Sequence, residues 1–316
     1  MPISPPKPNW TLNDAPVLDG KVAIVTGATG GIGYETALGL ARQGAVTIVA
    51  GRNRTKGAQA VTRIQREIRG AKVRFEMLDL ASLASVAAFA DAVSSAQGGT
   101  IDILVNNAGV MGYPTRQLTA DGFERQIGVN YFGHFALTAR LKDALCAAPG
   151  GGRVVTVASL AHRRAVLKLD DLQSERSYNA LRAYGQSKLA NLIFAFELQR
   201  RVEQNGWALR SIAAHPGWAR TDIVGSGIGG GQPNLKAWLI SFGFGLVAQS
   251  ARDGALPSLY AAMAPEAAGG AYYGPSGPGE TRGSPGIARV YPQALDTAAA
   301  SLLWAMSEKL TGVGFG

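Results

Sequence analysis

The chain has 316 residues, of which 47% are hydrophobic, so it is long and apolar enough to bury a large core. The formal net charge is +9 at pH 7, but residues 51–75 alone hold eight Lys/Arg against one Glu, so we expect no nucleic-acid partner. The one cysteine, Cys146, excludes an internal disulfide, and the three histidines lack ligand-pair spacing, so we expect no metal site.

The start of the chain and its most apolar stretch bear on where the protein works. The first ten residues contain four prolines and no apolar core segment, which argues against a signal peptide. The longest uncharged stretch, 237–251, is too short and too rich in glycine to span a bilayer. We therefore expect a cytoplasmic protein without stable membrane insertion, although the sequence leaves open whether 237–248 touches a membrane.

Runs rich in β-branched residues alternate with segments of helical spacing along most of the chain. The strand-like runs are 21–26, 45–50, 72–78, 101–105, 152–158 and 208–214. Strands that alternate with helices predict βαβ units and a parallel sheet, and the near-continuous apolarity of these strands predicts burial on both faces. The fold class is therefore α/β, with a single doubly wound domain of the Rossmann type whose parallel sheet is flanked by helices.

Composition also suggests the boundaries of this domain. A Pro-rich arm occupies 1–17, the domain runs from 18 to 275, and a tail at 276–316 opens with SGPGETRGSPG and ends in a helix near 293–311. The segment 218–250 has no convincing strand and combines glycines with an apolar run. We expect it to form a lid over an apolar substrate, with a core helix or a membrane-surface helix as the alternatives.

The stretch TGATGGIG (26–33) occupies the turn after the first predicted strand. In a doubly wound sheet this turn meets a helix N-terminus and can hold a dinucleotide pyrophosphate. A plain glycine turn remains the alternative for the motif taken alone, because its glycines do not fit G-x-G-x-x-G. Two further strand ends, at Asp79-Leu80 and at NNAG (106–109), provide polar or small residues on the same edge.

Tyr184 and Lys188 lie four residues apart in YGQSK (184–188), so they share one face of a helix. A nearby ammonium favours phenolate, and we therefore expect Lys188 to lower the pKa of Tyr184 toward neutrality and make it a general acid/base. Ser159, at the end of a predicted strand, could offer its hydroxyl to the same reacting oxygen. A solvated Tyr/Lys pair is the alternative when this motif stands alone.

Together the motifs resemble the short-chain dehydrogenase/reductase family over about residues 18–275. The matching elements, in family order, are TGATGGIG, Asp79-Leu80, NNAG, Asn130, Ser159, YGQSK and HPGWART (215–221). SLAH (159–162), the HPG turn and LWAMSEKL look most like the retinol-dehydrogenase-like branch. One departure is a long insertion between Ser159 and Tyr184, the segment 163–179, which we expect to edge the substrate site.

The resemblance implies an enzyme with four catalytic residues. Tyr184 would pass a proton to or from the substrate oxygen, and Lys188 would also hydrogen-bond the nicotinamide ribose. Ser159 would steady the carbonyl, and Asn130 would help to hold a water that relays protons. The implied cofactor-binding residues are Gly27, Thr29, Gly31, Ile32, Gly33, Arg52, Asn53, Asp79, Leu80, Asn106, Ala108, Gly109, Tyr184, Lys188, Pro216, Gly217 and Thr221.

The residues after the second predicted strand, GRNRTK (51–56), suggest which dinucleotide is bound. An NAD site presents an acidic residue there for the ribose hydroxyls, whereas the next acidic residue in this chain is Glu67. Arg52 can instead grip a 2′-phosphate through a bidentate pair, and Arg54 or Lys56 can add a looser contact. We therefore expect NADP(H), with solvated residues at a helix start as the alternative.

The sequence thus predicts an NADP(H)-dependent oxidoreductase that interconverts a carbonyl and an alcohol on a small apolar substrate. A reductase of C=C bonds on the same scaffold and a non-catalytic NADP-sensing regulatory protein are the alternatives. The resemblance also allows a homodimer or a homotetramer. Of the histidines, we expect His134 to be a packed or surface residue and His215 to hydrogen-bond locally, whereas His162 could also contact substrate.

Overall fold

An eight-stranded sheet forms the centre of the protein in a computed structural model that describes residues 4–96, 98–219 and 249–316. The strand order is β3-β2-β1-β4-β5-β6-β7-β8. The strands are β1 Val22–Thr26, β2 Val46–Gly51, β3 Val73–Met77, β4 Ile103–Asn106, β5 Gly152–Val157, β6 Leu209–Ala214, β7 Tyr272–Pro275 and β8 Pro285–Ile287. All neighbouring pairs are parallel except β7 and β8, which are antiparallel. The predicted doubly wound α/β fold is confirmed.

Helices cover both faces of this sheet. They are α1 Gly31–Arg42, α2 Arg54–Glu67, α3 Leu83–Ala96, α4 Arg125–Ile127, α5 Gly133–Cys146, α6 Ala180–Asn205, α7 Ala251–Met263 and α8 Thr297–Thr311. Along β1, Ile24 packs into the core shared with α3, α5, α6 and α8, whereas Val25 packs into the core shared with α1, α2 and α7. Burial on both faces explains why the central strands are continuously apolar.

The six predicted strands match β1 to β6 within about two residues at each end, as expected of such assignments. The short strands β7 and β8 were not predicted as strands. β8 lies in the segment that the sequence sets apart as a tail, and it pairs with β7 through Gly286 opposite Gly274 and Ile287 opposite Tyr273. The residues from 276 onward therefore extend the sheet instead of following it.

The last predicted helix is present as α8, Thr297–Thr311, and Asp296 caps its N-terminus by accepting from Ala299 N at 2.9 Å. Its Trp304 stacks on Phe194 of α6, with ring centres 5.8 Å apart, and Phe315 closes over Trp304 at 4.5 Å. These aromatic contacts bind the end of the chain to the main core. No helix within the described ranges is long and apolar enough to cross a membrane.

Candidate active site

The predicted site residues gather where the carboxyl ends of β1, β4, β5 and β6 meet, as expected for ligands of a parallel sheet. The first turn, between β1 and α1, needs glycine at two points. Gly27 has φ +66°, and a Cβ there would lie 2.8 Å from Ala108 Cα. A Cβ on Gly33 would lie 2.5 Å from the Gly27 carbonyl oxygen. These contacts show that the first turn packs closely against the β4 turn, with no room for a side chain at either glycine.

The N-terminus of α1 provides a place for an anion. Its N-cap residue, Gly30, offers no side chain to the first N–H groups of the helix. Unpaired N–H groups and the helix dipole together favour a phosphate. Thr29 and Ile32 flank this end of the helix, and Gly31, with φ +54°, adopts a left-handed conformation. The residues therefore fit the pyrophosphate of a dinucleotide.

Beyond β2, Arg52 is exposed and Asn53 caps α2, its Oδ1 accepting from Lys56 N at 2.9 Å. The first turn of α2 contains no acidic residue. Among the described residues, neither Arg52 nor Arg54 nor Lys56 forms an ion pair with a carboxylate. Three cations at a helix N-terminus oppose the helix dipole. The arrangement therefore favours an added anion.

Two further strand ends complete the predicted cofactor side. Asp79 is turned onto its own loop, with Oδ1 accepting from Ala81 N at 3.0 Å, and Leu80 beside it is buried. Asn106 is fully buried and donates from Nδ2 to Thr138 Oγ1 at 2.9 Å. Its side chain therefore anchors the end of β4 to α5, and the backbone that follows it is what faces the site.

Tyr184 and Lys188 are both buried on α6. Lys188 Nζ lies 6.0 Å from the centre of the Tyr184 ring and donates to the Val157 carbonyl at 3.0 Å. A Cβ on Gly109 would lie 3.4 Å from Lys188 Nζ, so the β4 turn reaches the lysine. The structure thus brings the predicted catalytic pair and the turn at 106–109 together.

The protonation of this pair differs from the expectation. Burial raises the pKa of Tyr184, and hydrogen bonding with Ser159 only partly offsets it. Burial also lowers the pKa of Lys188 to about 8. The expected shift of the phenol toward neutrality is therefore not seen, because the cost of removing the phenolate from water exceeds what the Ser159 hydrogen bond returns. At neutral pH the phenol holds its proton.

Ser159 follows β5 and caps the short turn Leu160–Arg164, accepting from Ala161 N at 3.2 Å. Asn130 lies in a π-helical turn, Gly128–Phe132, between α4 and α5. Such turns are frequent at functional sites.

The Asn130 amide binds the Val110 backbone in both directions, accepting from Val110 N at 2.7 Å and donating to Val110 O at 3.0 Å. It also donates to Ser187 Oγ on α6, at 2.9 Å. Asn130 thereby connects the segment after the β4 turn to the helix that carries Tyr184 and Lys188.

His134 is a packed histidine, and it connects the catalytic and cofactor sides of the site. Its Nδ1 lies 2.9 Å from the Asn130 carbonyl oxygen, and its Nε2 lies 2.8 Å from Thr26 Oγ1. A carbonyl oxygen can only accept, so Nδ1 carries the proton and Nε2 accepts the hydroxyl proton of Thr26. Thr26 Oγ1 in turn accepts from Asn107 N and Ala108 N, both at 2.9 Å. The chain of hydrogen bonds requires a neutral imidazole.

The remaining predicted positions follow β6. His215 Nδ1 accepts from Gly217 N at 3.1 Å, which closes the turn that contains Pro216. His215 thus hydrogen-bonds locally, and it also contacts Glu280 of the tail. Thr221, like most of the expected lid at 218–250, lies outside the described residues. Sequence reasoning assigned no role to Thr26 or Glu280, whose partners are distant in the chain.

The buried neutral His134 predicts a pH-dependent stability. Burial lowers its folded pKa to about 4 from an ordinary value of 6.5. Between these values the unfolded chain binds more protons, so stability falls as pH drops from 6.5 toward 4, by about 3 kcal/mol from this residue. Urea unfolding from pH 7 to pH 4 measures the loss. In His134→Gln the loss should be smaller by about that amount, and identical pH dependence of the two proteins would contradict the assignment.

Comparisons with known proteins agree with this geometry. A family model described as short chain dehydrogenase matches residues 21–227. The polyprenol dehydrogenase of Mus musculus is 40% identical over 324 aligned positions, covering 100% of this chain and 88% of that protein. Retinol dehydrogenase 13 of Homo sapiens is 40% identical, covering 94% of this chain and 86% of that protein.

Among solved structures, an uncharacterized protein from Mycobacterium paratuberculosis superposes with a TM-score of 0.78 at 38% identity. The match covers 98% of this chain and 99% of that one. The family model and the relatives together cover the sheet, the glycine turn and the Tyr184/Lys188 helix. The chain belongs to the short-chain dehydrogenase/reductase family, and its relatives include retinol dehydrogenases, as the sequence motifs predict.

Proposed function

We propose that the protein is an NADP(H)-dependent oxidoreductase that interconverts the carbonyl and alcohol forms of a small apolar substrate. The observation that carries this proposal is the arrangement of the buried Tyr184 and Lys188 with the half-buried Ser159 beside the β4 turn. A buried phenol and a buried ammonium are costly to maintain, and their convergence with a serine hydroxyl on one point of the sheet edge is what general acid/base catalysis needs.

The first turn, the N-terminus of α1 and the backbone at 106–109 would hold the dinucleotide. The close packing of Gly27 and Gly33 against the β4 turn supports this placement, because it brings the two turns together at the N-terminus of α1. Pro216 and Gly217 would edge the nicotinamide end. When bound, the nicotinamide supplies hydride transfer, and the chain orients it against the substrate.

Within this arrangement Tyr184 is the proton donor to the substrate oxygen. Its raised pKa keeps the proton on the phenol at neutral pH, which suits donation to an oxygen that gains negative charge. The Ser159 hydroxyl donates to the same oxygen and steadies it. Lys188, charged below its pKa of about 8, adds a positive field beside the phenol as the proton leaves. The resting protonation state therefore provides the proton that carbonyl reduction consumes.

The substrate class follows from burial and from the relatives. Tyr184 is only 9% exposed, so the reacting group must enter a site largely shielded from water. Two relatives are named for polyprenol and retinol, both apolar alcohols. The segment 163–179 borders this site through the turn at Leu160–Arg164 that Ser159 caps. We infer that the substrate is an apolar aldehyde or ketone and its alcohol.

The assigned proton donor can be tested with a panel of apolar aldehydes, ketones and enones, following NADPH oxidation. Tyr184→Phe retains the ring and removes the donated proton, so the rate should fall on the order of 10²-fold or more while NADPH binding changes little. Tyr260→Phe is the matched control, because Tyr260 is a buried tyrosine of α7 that lies outside the proposed site and packs on Trp10. A Tyr184→Phe enzyme with most of its turnover would refute the role.

The choice of cofactor rests on Arg52. A charge-assisted bond contributes about 1.5–3 kcal/mol, so NADP(H) should be preferred over NAD(H) by at least about tenfold in kcat/KM. Arg52→Ala should remove most of that preference and leave NAD(H) use nearly unchanged. Arg66→Ala, in the last turn of α2, is the control and should keep the preference. A wild-type enzyme that prefers NAD(H) would overturn the assignment.

A further inference from the structure

The loop between β7 and β8 contains a carboxylate, Glu280, whose contacts all lead back to the edge of the sheet where the site lies. The loop falls outside residues 21–227, the part of the chain that matches the family model. Glu280 adopts a left-handed conformation with φ +58°, directly after Gly279 at φ +62°. A non-glycine residue persists in this region of conformational space only where the surrounding contacts fix it.

Glu280 makes two hydrogen bonds and one ion pair with its two carboxylate oxygens. Oε2 accepts from His215 Nε2 at 3.0 Å and pairs with the Arg163 guanidinium at 2.7 Å. Oε1 accepts from Arg289 N at 3.0 Å, just beyond β8. Arg163 also donates to the Gly279 carbonyl at 3.0 Å. The carboxylate thus binds three separate segments, from residues 163, 215 and 289.

The first of these segments is the turn that follows Ser159. Arg163 belongs to Leu160–Arg164, which Ser159 caps, and within that turn His162 Nδ1 donates to the Ser159 carbonyl at 2.6 Å. Gln293, from the chain after β8, donates to the carbonyls of His162 and Arg163 at 3.3 and 3.2 Å. The tail therefore holds the Ser159 turn at more than one point.

The second segment is the turn after β6. His215 is fully buried, and because its Nδ1 accepts from Gly217 N, its Nε2 carries the proton that is donated to Glu280. The neighbouring Thr281 carbonyl accepts from Trp218 N at 2.8 Å. Gly274 of β7 lies against the imidazole, since a Cβ there would fall 2.0 Å from His215 Nε2. The loop thus supports the turn at 215–218 from the side chain of Glu280 and from the backbone.

The Glu280 carboxylate is ionised at neutral pH. Burial alone would raise the pKa of Glu280, but hydrogen bonds from His215 and Arg289 N, with the charge of Arg163, outweigh it and hold the pKa at about 2. Burial lowers the pKa of His215, so the imidazole is a neutral donor at pH 7. An ionised acceptor with an arginine and two further donors is a strong arrangement.

We propose that Glu280 is a positioning residue, which fixes the Ser159 turn and the 215–218 turn relative to each other and so completes the substrate and nicotinamide side of the site. The inference rests on the proposed function for its catalytic consequence, but the coupling of the two turns stands on the geometry alone. The tail is then a working part of the site, and Glu280 acts through Arg163 and His215.

Hydrogen exchange tests the coupling without any need for turnover. Glu280→Ala should increase amide exchange in peptides that cover 159–164 and 215–218, and leave exchange in α8 unchanged. Glu266→Ala, an exposed carboxylate after α7, is the matched control and should change neither segment. If Glu280→Ala does not fold, Glu280→Gln is measured instead, because it keeps the shape and loses the charge. Unchanged exchange in both segments of the folded variant would overturn the proposal.

Kinetics test the positioning role itself. Glu280→Ala should lower kcat/KM for the carbonyl substrate at least about tenfold, as expected for loss of hydrogen bonds to a charged group. Arg163→Met should lower it comparably, and the double variant should be no worse than the poorer single variant, because both changes break one connection. Glu280→Gln should recover part of the loss. Additive effects, or wild-type kcat/KM in Glu280→Ala, would contradict the positioning role.

These two experiments separate the failure of the inference from the failure of the proposed function. If the wild-type protein oxidises no NADPH with any carbonyl of the panel, the proposed function fails, while increased exchange in the two turns of Glu280→Ala would still support the coupling. If the wild type turns over and Glu280→Ala matches it in both exchange and kcat/KM, the inference about Glu280 fails and the proposed function stands.

Discussion

One hydroxyl group, that of Thr26, sets the distance between the two turns on which the proposed cofactor site depends. Its oxygen accepts hydrogen bonds from two successive N–H groups of the β4 turn, and the hydroxyl donates a hydrogen bond to His134 Nε2. These hydrogen bonds hold the first turn close to the β4 turn. Gly27 and Gly33 are required there because neither position has room for a Cβ. The same imidazole then extends the connection to the Asn130 carbonyl. The two proposed cofactor turns and Asn130 are thus linked by one chain of hydrogen bonds.

Burial shifts the pKa values of the phenol and of the basic groups near these turns in opposite directions. Removal from water raises the pKa of Tyr184 and lowers the pKa of Lys188 and of His134. For His134 this fixes a neutral ring that can donate from one nitrogen and accept at the other. For Tyr184 it retains the proton that the proposed reduction consumes. A buried polar network is stable only when each of its polar groups has a hydrogen-bond partner. Several of these partners come from residues that are distant in the sequence.

The sequence predicts the sheet well where strands are long and apolar, and poorly where they are short. Most of the strands β1 to β6 are readable because they are buried on both faces, and β3 is readable from its β-branched and aromatic residues, whereas β8 contains Pro285 and Gly286 and takes its conformation from pairing with β7. The gathering of Tyr184, Lys188, Ser159 and Asn130 follows from their places on α6, after β5 and before α5.

Other properties of the site depend on distance across the fold. His134 meets Thr26 across 108 residues, and Glu280 meets His215 across 65. No local pattern encodes such contacts. The raised pKa of Tyr184 also depends on three-dimensional burial, which helical spacing alone does not report.

The central claim is that Tyr184, Lys188 and Ser159 direct hydride chemistry onto a carbonyl carbon. It is tested most directly by incubating the protein with NADPH deuterated at nicotinamide C4, on the transferred face, and an apolar enal that offers both a carbonyl and a C=C bond. Mass spectrometry and NMR of the product then locate the label. The account predicts deuterium on the carbinol carbon with the C=C bond intact. Deuterium on the β-carbon of a saturated aldehyde would contradict it.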